Sequence, residues 1–288
     1  MEFFVLETNI IDNEEIKGNK NKKFNLKYKV ENEKKKIILF GENFVKKNKN
    51  KCYLIINNND CELMHEYKFP QRGEQTITLV ITVDDINFSQ MFSNFYLMHR
   101  MGFTFMDYNP YLIDISSLKN LDVSECKDLS GMFNGCTNIQ NFEFLKNWDV
   151  SKCENFEGML AYCNFSNLSF LSSWNFNSAN NLSAMFKGCK KLNNVEGCKN
   201  WNVENVIYFE DIFNGCKGLI DVNALQNWNM NKPERINGMF CKCNNLENMD
   251  SLYKWKLNNG IFMGNIIIGC DKLKNIPSIF KGSNCTPF

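Results

Sequence analysis

Histidine and proline are scarce in this 288-residue chain, which holds two histidines, His65 and His99, and five prolines. A cysteine nucleophile needs a nearby base, and neither histidine sits in a nucleophile motif, so the sequence offers no Cys–His catalytic arrangement. An excess of either charge is also missing. The 33 basic and 32 acidic residues leave a net charge of +1, where a nucleic-acid binder carries a basic surplus on one face. No run of about eighteen apolar residues occurs, so no membrane insertion is expected. The opening MEFFVLETNIIDNEEIKGNK lacks a positive start, and Glu2, Glu7 and Asp12 interrupt its apolar stretch. That predicts a cytoplasmic protein, with the cell surface as the alternative. Phosphate-loop, nucleophile-elbow and dinucleotide-binding phrases are all missing. The sequence therefore predicts no catalytic residue, no cofactor and no enzyme activity.

Cysteine, by contrast, is plentiful at 13, and an odd, large number without a leader reads as free thiols in a reducing compartment. Structural zinc wants cysteine pairs two to four residues apart. Cys241 and Cys243, separated by one residue, are the only close pair. No metal site is expected. Asparagine occurs 46 times, so the N-x-[ST] phrases at Asn87, Asn164, Asn167, Asn181 and Asn284 arise easily by chance and matter only in a secreted protein.

The informative feature is a repeat. Trp148, Trp174, Trp201, Trp228 and Trp255, all the tryptophans present, are spaced 26, 27, 27 and 27 residues apart, and Leu121 stands one period earlier. Cys136, Cys163, Cys189, Cys216, Cys243 and Cys270 keep the same step, closing the phrases MFNGC, MLAYC, MFKGC, IFNGC, MFCKC and IIIGC. A third ladder runs through Ile139, Ser166, Leu192, Leu219, Leu246 and Leu273. Each copy is too small to bury its own apolar side, and stacking of copies builds one continuous core. Within MFxGC, Met and Phe point inward, glycine permits a positive φ and the small cysteine fits a crowded interior. Asp or Asn after four of the five Trp residues suits an Asx turn, while Lys256 follows Trp255.

The phrase W-[DN]-[VFM]-x…[NL]-x-x-M-F-x-G-C-x-x-L, over roughly residues 121–280, resembles the BspA-like leucine-rich repeats, including the variety catalogued as a domain of unknown function in mycoplasma surface proteins. That resemblance implies a curved coil with a parallel sheet and no catalytic site, and many such proteins are adhesins. The fold class expected is an α/β repeat solenoid, leucine-rich-repeat-like, with short parallel strands and short helical or 3-10 turns, plus a small β-rich N-terminal cap domain.

The division expected is 1–75 as the β-rich module, 76–120 as a cap with a degenerate first repeat and an insert, 121–270 as the solenoid of about six copies, and 271–288 as the C-terminal cap. In the module, KFNLKYKV alternates as a half-buried strand, KIILF and CYLII are strand-like, and NNND suits a hairpin turn. TITLVITV reads as a strand, and Met91 and Phe92 mark the degenerate copy. Over residues 1–60, 13 lysines against 9 acids make a solvated face. The insert FYLMHRMGFTFMDYNPY is the candidate partner-binding loop, through Phe95, Tyr96, Met98, His99, Arg100, Phe103, Phe105 and Tyr108, because aromatic residues and Met are enriched at interfaces. The function expected is a non-enzymatic scaffold with a protein partner and no nucleic acid. The alternatives are a BspA-type adhesin, which shares the repeats but needs export, and an enzyme acting through the N-terminal module.

Overall fold

A computed structural model describes residues 21–97, 104–107 and 109–281. Its strands are β1 (Lys22–Val30), β2 (Ile37–Ile38), β3 (Cys52–Ile56), β4 (Asn59–Glu62), β5 (Glu66–Tyr67), β6 (Gly73–Ile81), β7 (Asn94–Leu97), β8 (Thr104–Asp107) and β9 (Leu112–Asp114), with one α-helix, α1 (Glu42–Asn48). A five-stranded sheet has the order β4-β3-β6-β1-β9, and every pairing in it is antiparallel. Alternation in β1 sends Phe24, Leu26, Tyr28 and Val30 inward, as the period of a half-exposed strand requires. Between β3 and β4 the chain reverses through Asn57 and Asn58, both with positive φ (52° and 63°), the pair of left-handed residues a two-residue hairpin needs.

The expected α/β solenoid of short parallel strands is overturned. Among the described residues all named strands pair antiparallel, and none lies within the repeats. The repeats carry 3-10 turns, Glu143–Asn147, Ser169–Leu171, Glu196–Cys198, Asn223–Asn227 and Asp250–Lys254, and among the described residues the only β pairing between copies is by single parallel bridges such as Asn155 to Asn181 and Asn181 to Tyr208. The cause lies in the backbone. Each copy holds two left-handed positions four residues apart. Gly131, Gly158, Ala184, Asp211, Gly238 and Asn265 form one column, with φ between 55° and 65°. Gly135, Tyr162, Gly188, Gly215, Lys242 and Gly269 form the second, with φ between 59° and 76°. A strand needs an unbroken run of negative φ, so the segment around MFxGC becomes a ribbon of turns.

This ribbon satisfies its backbone in two directions. Leu182, Ala184, Phe186 and Gly188 donate their N–H groups forward, to the carbonyls of Tyr208, Glu210, Ile212 and Asn214 in the next copy, at 2.9, 2.7, 3.0 and 2.6 Å. The residues between them turn back within their own copy: Met185 donates to Leu182 O, Lys187 to Ala184 O and Cys189 to Phe186 O. The same four forward donors recur in the copies beginning at Leu129, Phe156, Phe209 and Ile236, all at 2.6–3.1 Å. Buried N–H and C=O groups must be paired, and here every second residue pairs between copies and the rest within one.

Side chains add further columns. The indole N–H groups of Trp148, Trp174, Trp201, Trp228 and Trp255 each donate to a carbonyl one copy back, at 2.8–3.2 Å. Cys163, Cys189, Cys216, Cys243 and Cys270 direct their thiols at carbonyls of the preceding copy at 3.1–3.2 Å. Both sets are buried.

Sheet and repeats share one apolar cluster running from Phe24 to Phe280. Met91 and Phe92 belong to a shortened copy, whose Gln90 and Phe92 donate to Ser130 O and Met132 O. Gly41, at the start of α1, donates to Met91 O at 3.0 Å. Any side chain there would collide, since a Cβ would lie 2.1 Å from Ser93 O. The rings of Phe40, Phe92 and Phe133 stack at 5.7 and 5.8 Å, carrying the core from the sheet region into the repeats.

Candidate interaction surface

With the register known, each variable position of the ribbon becomes a column along one face. The bridge column reads Asp128, Asn155, Asn181, Tyr208, Arg235 and Phe262, half-buried for most of its length and exposed at Arg235 and Phe262. Beside it stand Ser130, Glu157, Ser183, Glu210 and Asn237, two residues later in each copy. Core columns repeat nearly the same residue from copy to copy, while these surface columns change chemistry at almost every step. Polar contacts knit neighbouring copies together. Asn181 Nδ2 donates to Glu157 at 3.3 Å, Arg235 pairs with Glu210 at 3.5 Å, and Lys187 pairs with Asp211 at 2.7 Å. These pairs range from half-buried to exposed and fasten neighbouring copies without fixing which residue occupies each rung.

At the junction of the sheet and the first repeats lies a cleft of about 780 Å³, lined by Asp84, Asp85, Asp122, Glu125 and Asp128 with Lys22 and Lys127. Two hydrogen bonds from Ser124 hold the Asp122 carboxyl below its ordinary range.

The cysteines have the chemistry of core filler. Burial pushes the Cys189 and Cys153 thiols up to about 12 and Cys126 to about 11, and raises Cys163, Cys216 and Cys243 well above the ordinary value. A thiol that stays protonated is a poor nucleophile and a poor metal ligand. Among the described residues no cluster of three or more His, Cys, Asp or Glu could hold a metal ion. Nor is any described helix long and apolar enough to cross a membrane.

Of the insert, Phe95 and Tyr96 lie in β7 and Phe105 in β8, two antiparallel strands whose backbone register pairs Tyr96 with Phe105 and Phe95 with Met106. Met98, His99, Arg100, Phe103 and Tyr108 lie outside the described residues. The bridge column escaped the sequence reading because its members share no chemistry. Its signal was positional, four residues before each Met or Ile of the MFxGC phrase.

The profile of the family described as "Mycoplasma protein of unknown function, DUF285" matches residues 86–219 and again 162–280, together well over half of the chain. The chain belongs to the DUF285 family. No curated protein and no solved structure matches it. The two overlapping DUF285 matches are what a repeated unit produces, since one profile several copies long can align in more than one register along the same array.

Proposed function

We propose that this DUF285 chain is a non-enzymatic interaction scaffold that presents the side face of its stacked repeats to a protein partner. The observation that carries the reading is the contrast between columns. A constant backbone frame, held by identical Met, Phe, Trp and Cys positions, supports Asp128, Asn155, Asn181, Tyr208, Arg235 and Phe262 in one line. Stacked repeats give an extended surface whose chemistry is set rung by rung, which is how repeat arrays recognise macromolecules.

A photo-crosslinking side chain at Tyr208 tests this in the cells that make the protein, with the exposed Lys68 as the reference position. A discrete adduct from position 208, absent from position 68 and suppressed by excess unmodified protein, supports the reading. No adduct at 208, or the same background at both positions, contradicts it. Free thiols at all twelve described cysteines favour a reducing compartment, hence the cytoplasm. The finer assignment to BspA-like repeats rests on the shared phrase, and it brings the adhesin as second reading. That reading is favoured by Asn164, an exposed N-x-S acceptor. Glycan on Asn164 in protein from its native cells would establish export and displace the cytoplasmic reading.

A further inference from the structure

The forward hydrogen bonds all point one way. At each step four N–H groups of the ribbon aim toward the C-terminal end of the array and meet carbonyls of the next copy, outnumbering those that run back, such as Glu234 N to Ile207 O and Glu247 N to Ile220 O. At the last copy the series stops. Phe262, Gly264, Ile266 and Ile268 accept from Ile236, Gly238, Phe240 and Lys242, but the next donors in the four columns, the N–H groups of Met263, Asn265, Ile267 and Gly269, have no acceptor among the described residues. Ile267 is buried, which leaves Met263, Asn265 and Gly269 as the donors within reach of a ligand. Aligned peptide dipoles leave partial positive charge where donors are unsatisfied, as at a helix N-terminus. Rows of N–H groups with left-handed residues interspersed make anion-binding concavities, and Asn265 and Gly269 are left-handed here.

Side-chain charge has the same sign. The last copy, residues 254–281, holds Lys254, Lys256, Lys272, Lys274 and Lys281 against Asp271 alone, a net of five minus one, or +4. The copy before it, residues 227–253, is balanced, with Lys232, Arg235 and Lys242 against Glu234, Glu247 and Asp250. Apolar surface is concentrated at the same end. Phe262 and Tyr253 are 61% and 68% exposed, although Phe262 closes the bridge column. A cleft of about 590 Å³ opens beside Phe262, between Lys232–Arg235 and Asn258–Phe262.

We infer that this edge is a docking site for an acidic, partly apolar peptide segment of a partner protein, which adds one more rung. Its backbone carbonyls and carboxylates accept from the N–H groups of Met263, Asn265 and Gly269, its acidic side chains meet the lysines, and an apolar side chain lies against Phe262 in the cleft. A second copy of this chain fits poorly. Two such edges face to face set donor against donor, and the opposite end of the array is covered by Gly41 and α1. The inference shares the scaffold reading's class of function but uses its own surface, so a Tyr208→Ala variant separates the two.

The test uses the full chain and a fluorescent heptapeptide of alternating Glu and Leu, with its Lys–Leu counterpart as control. Binding is read by anisotropy, and hydrogen exchange by NMR reads the individual N–H groups. The acidic peptide is expected to bind about tenfold or more tighter than the basic one, as charge complementarity requires. It should slow exchange at 263, 265 and 269, lose about tenfold in affinity in Lys272→Glu with Lys274→Glu, and bind Tyr208→Ala unchanged. Equal binding of the two peptides, or binding without protection of these three groups, overturns the inference. So does self-association that protects them in the absence of peptide. A loss confined to Tyr208→Ala would overturn it while sparing the scaffold reading.

Discussion

Trp228 and Trp255 lie parallel, with ring centroids 6.5 Å apart and 2° between their planes, and each indole N–H reaches back one copy, to Cys198 O at 3.0 Å and to Leu225 O at 2.9 Å. The tryptophan column is thus a hydrogen-bond ladder as well as an apolar one. Trp228→Phe keeps an aromatic ring but removes one of the two donors to Cys198 O, which still accepts from the Trp201 N–H at 3.1 Å. Losing that one bond costs about 1 kcal/mol, and Trp228→Ala, which opens a cavity, costs about 3–5 kcal/mol. Urea unfolding of both variants checks the order.

Cys189 gives a subtler case. Its thiol already has an acceptor, Leu160 O at 3.2 Å, so a serine hydroxyl there finds the same partner. Cys189→Ser should cost about 1 kcal/mol, the low end for a polar group placed in a core. Phe186→Ala in the same copy should cost about 3–5 kcal/mol. Near-equal losses would mean the cysteine column is not packed as described.

Ala184 occupies the position that Gly131, Gly158 and Gly238 hold in other copies, at φ 55°. A Cβ in that region is strained by about 1–2 kcal/mol, so Ala184→Gly should stabilise the protein by about 1 kcal/mol once the added freedom of the unfolded chain is subtracted. Gly188→Ala should do the opposite, and more strongly. Gly188 has φ +71°, and a Cβ there would lie 2.3 Å from the Tyr162 ring. Thermal melts of the two variants should move in opposite directions.

Alkaline pH should weaken the fold. Burial raises the Cys189 and Cys153 thiols from the ordinary 9.0 to about 12. The folded state therefore holds these protons more tightly than the unfolded chain does. Their contribution is fully present below about pH 9 and is lost as the pH climbs through the folded values near 12. Unfolding free energy should be flat from neutral pH to about 9 and then decline. Cys189→Ala should make the decline shallower.

What could be read from the sequence depended on which groups make the contact. Trp148 to Trp255 and Cys136 to Cys270 repeat because the interior demands one particular side chain at one particular place. In the first strand, Phe24, Leu26, Tyr28 and Val30 announce themselves by alternation. The ribbon did not, because its forward hydrogen bonds join backbone to backbone and accept almost any residue. Where glycine marks the turn, as at Gly135, Gly188 and Gly215, the left-handed step is visible. Tyr162 and Lys242 make the same step and hide it. Two such steps per copy turned an expected strand into turns. The bridge column, from Asp128 to Phe262, shares no chemistry and needs the register before it exists at all.

The backbone ladder itself is open to direct observation. Scalar couplings across hydrogen bonds, measured by NMR on deuterated protein, link a donor nitrogen to its acceptor carbonyl carbon. The Leu182, Ala184, Phe186 and Gly188 nitrogens should correlate with the carbonyl carbons of Tyr208, Glu210, Ile212 and Asn214, each 26 residues ahead. Correlations confined to residues three apart within one copy, with none spanning 26, would contradict the stacked arrangement.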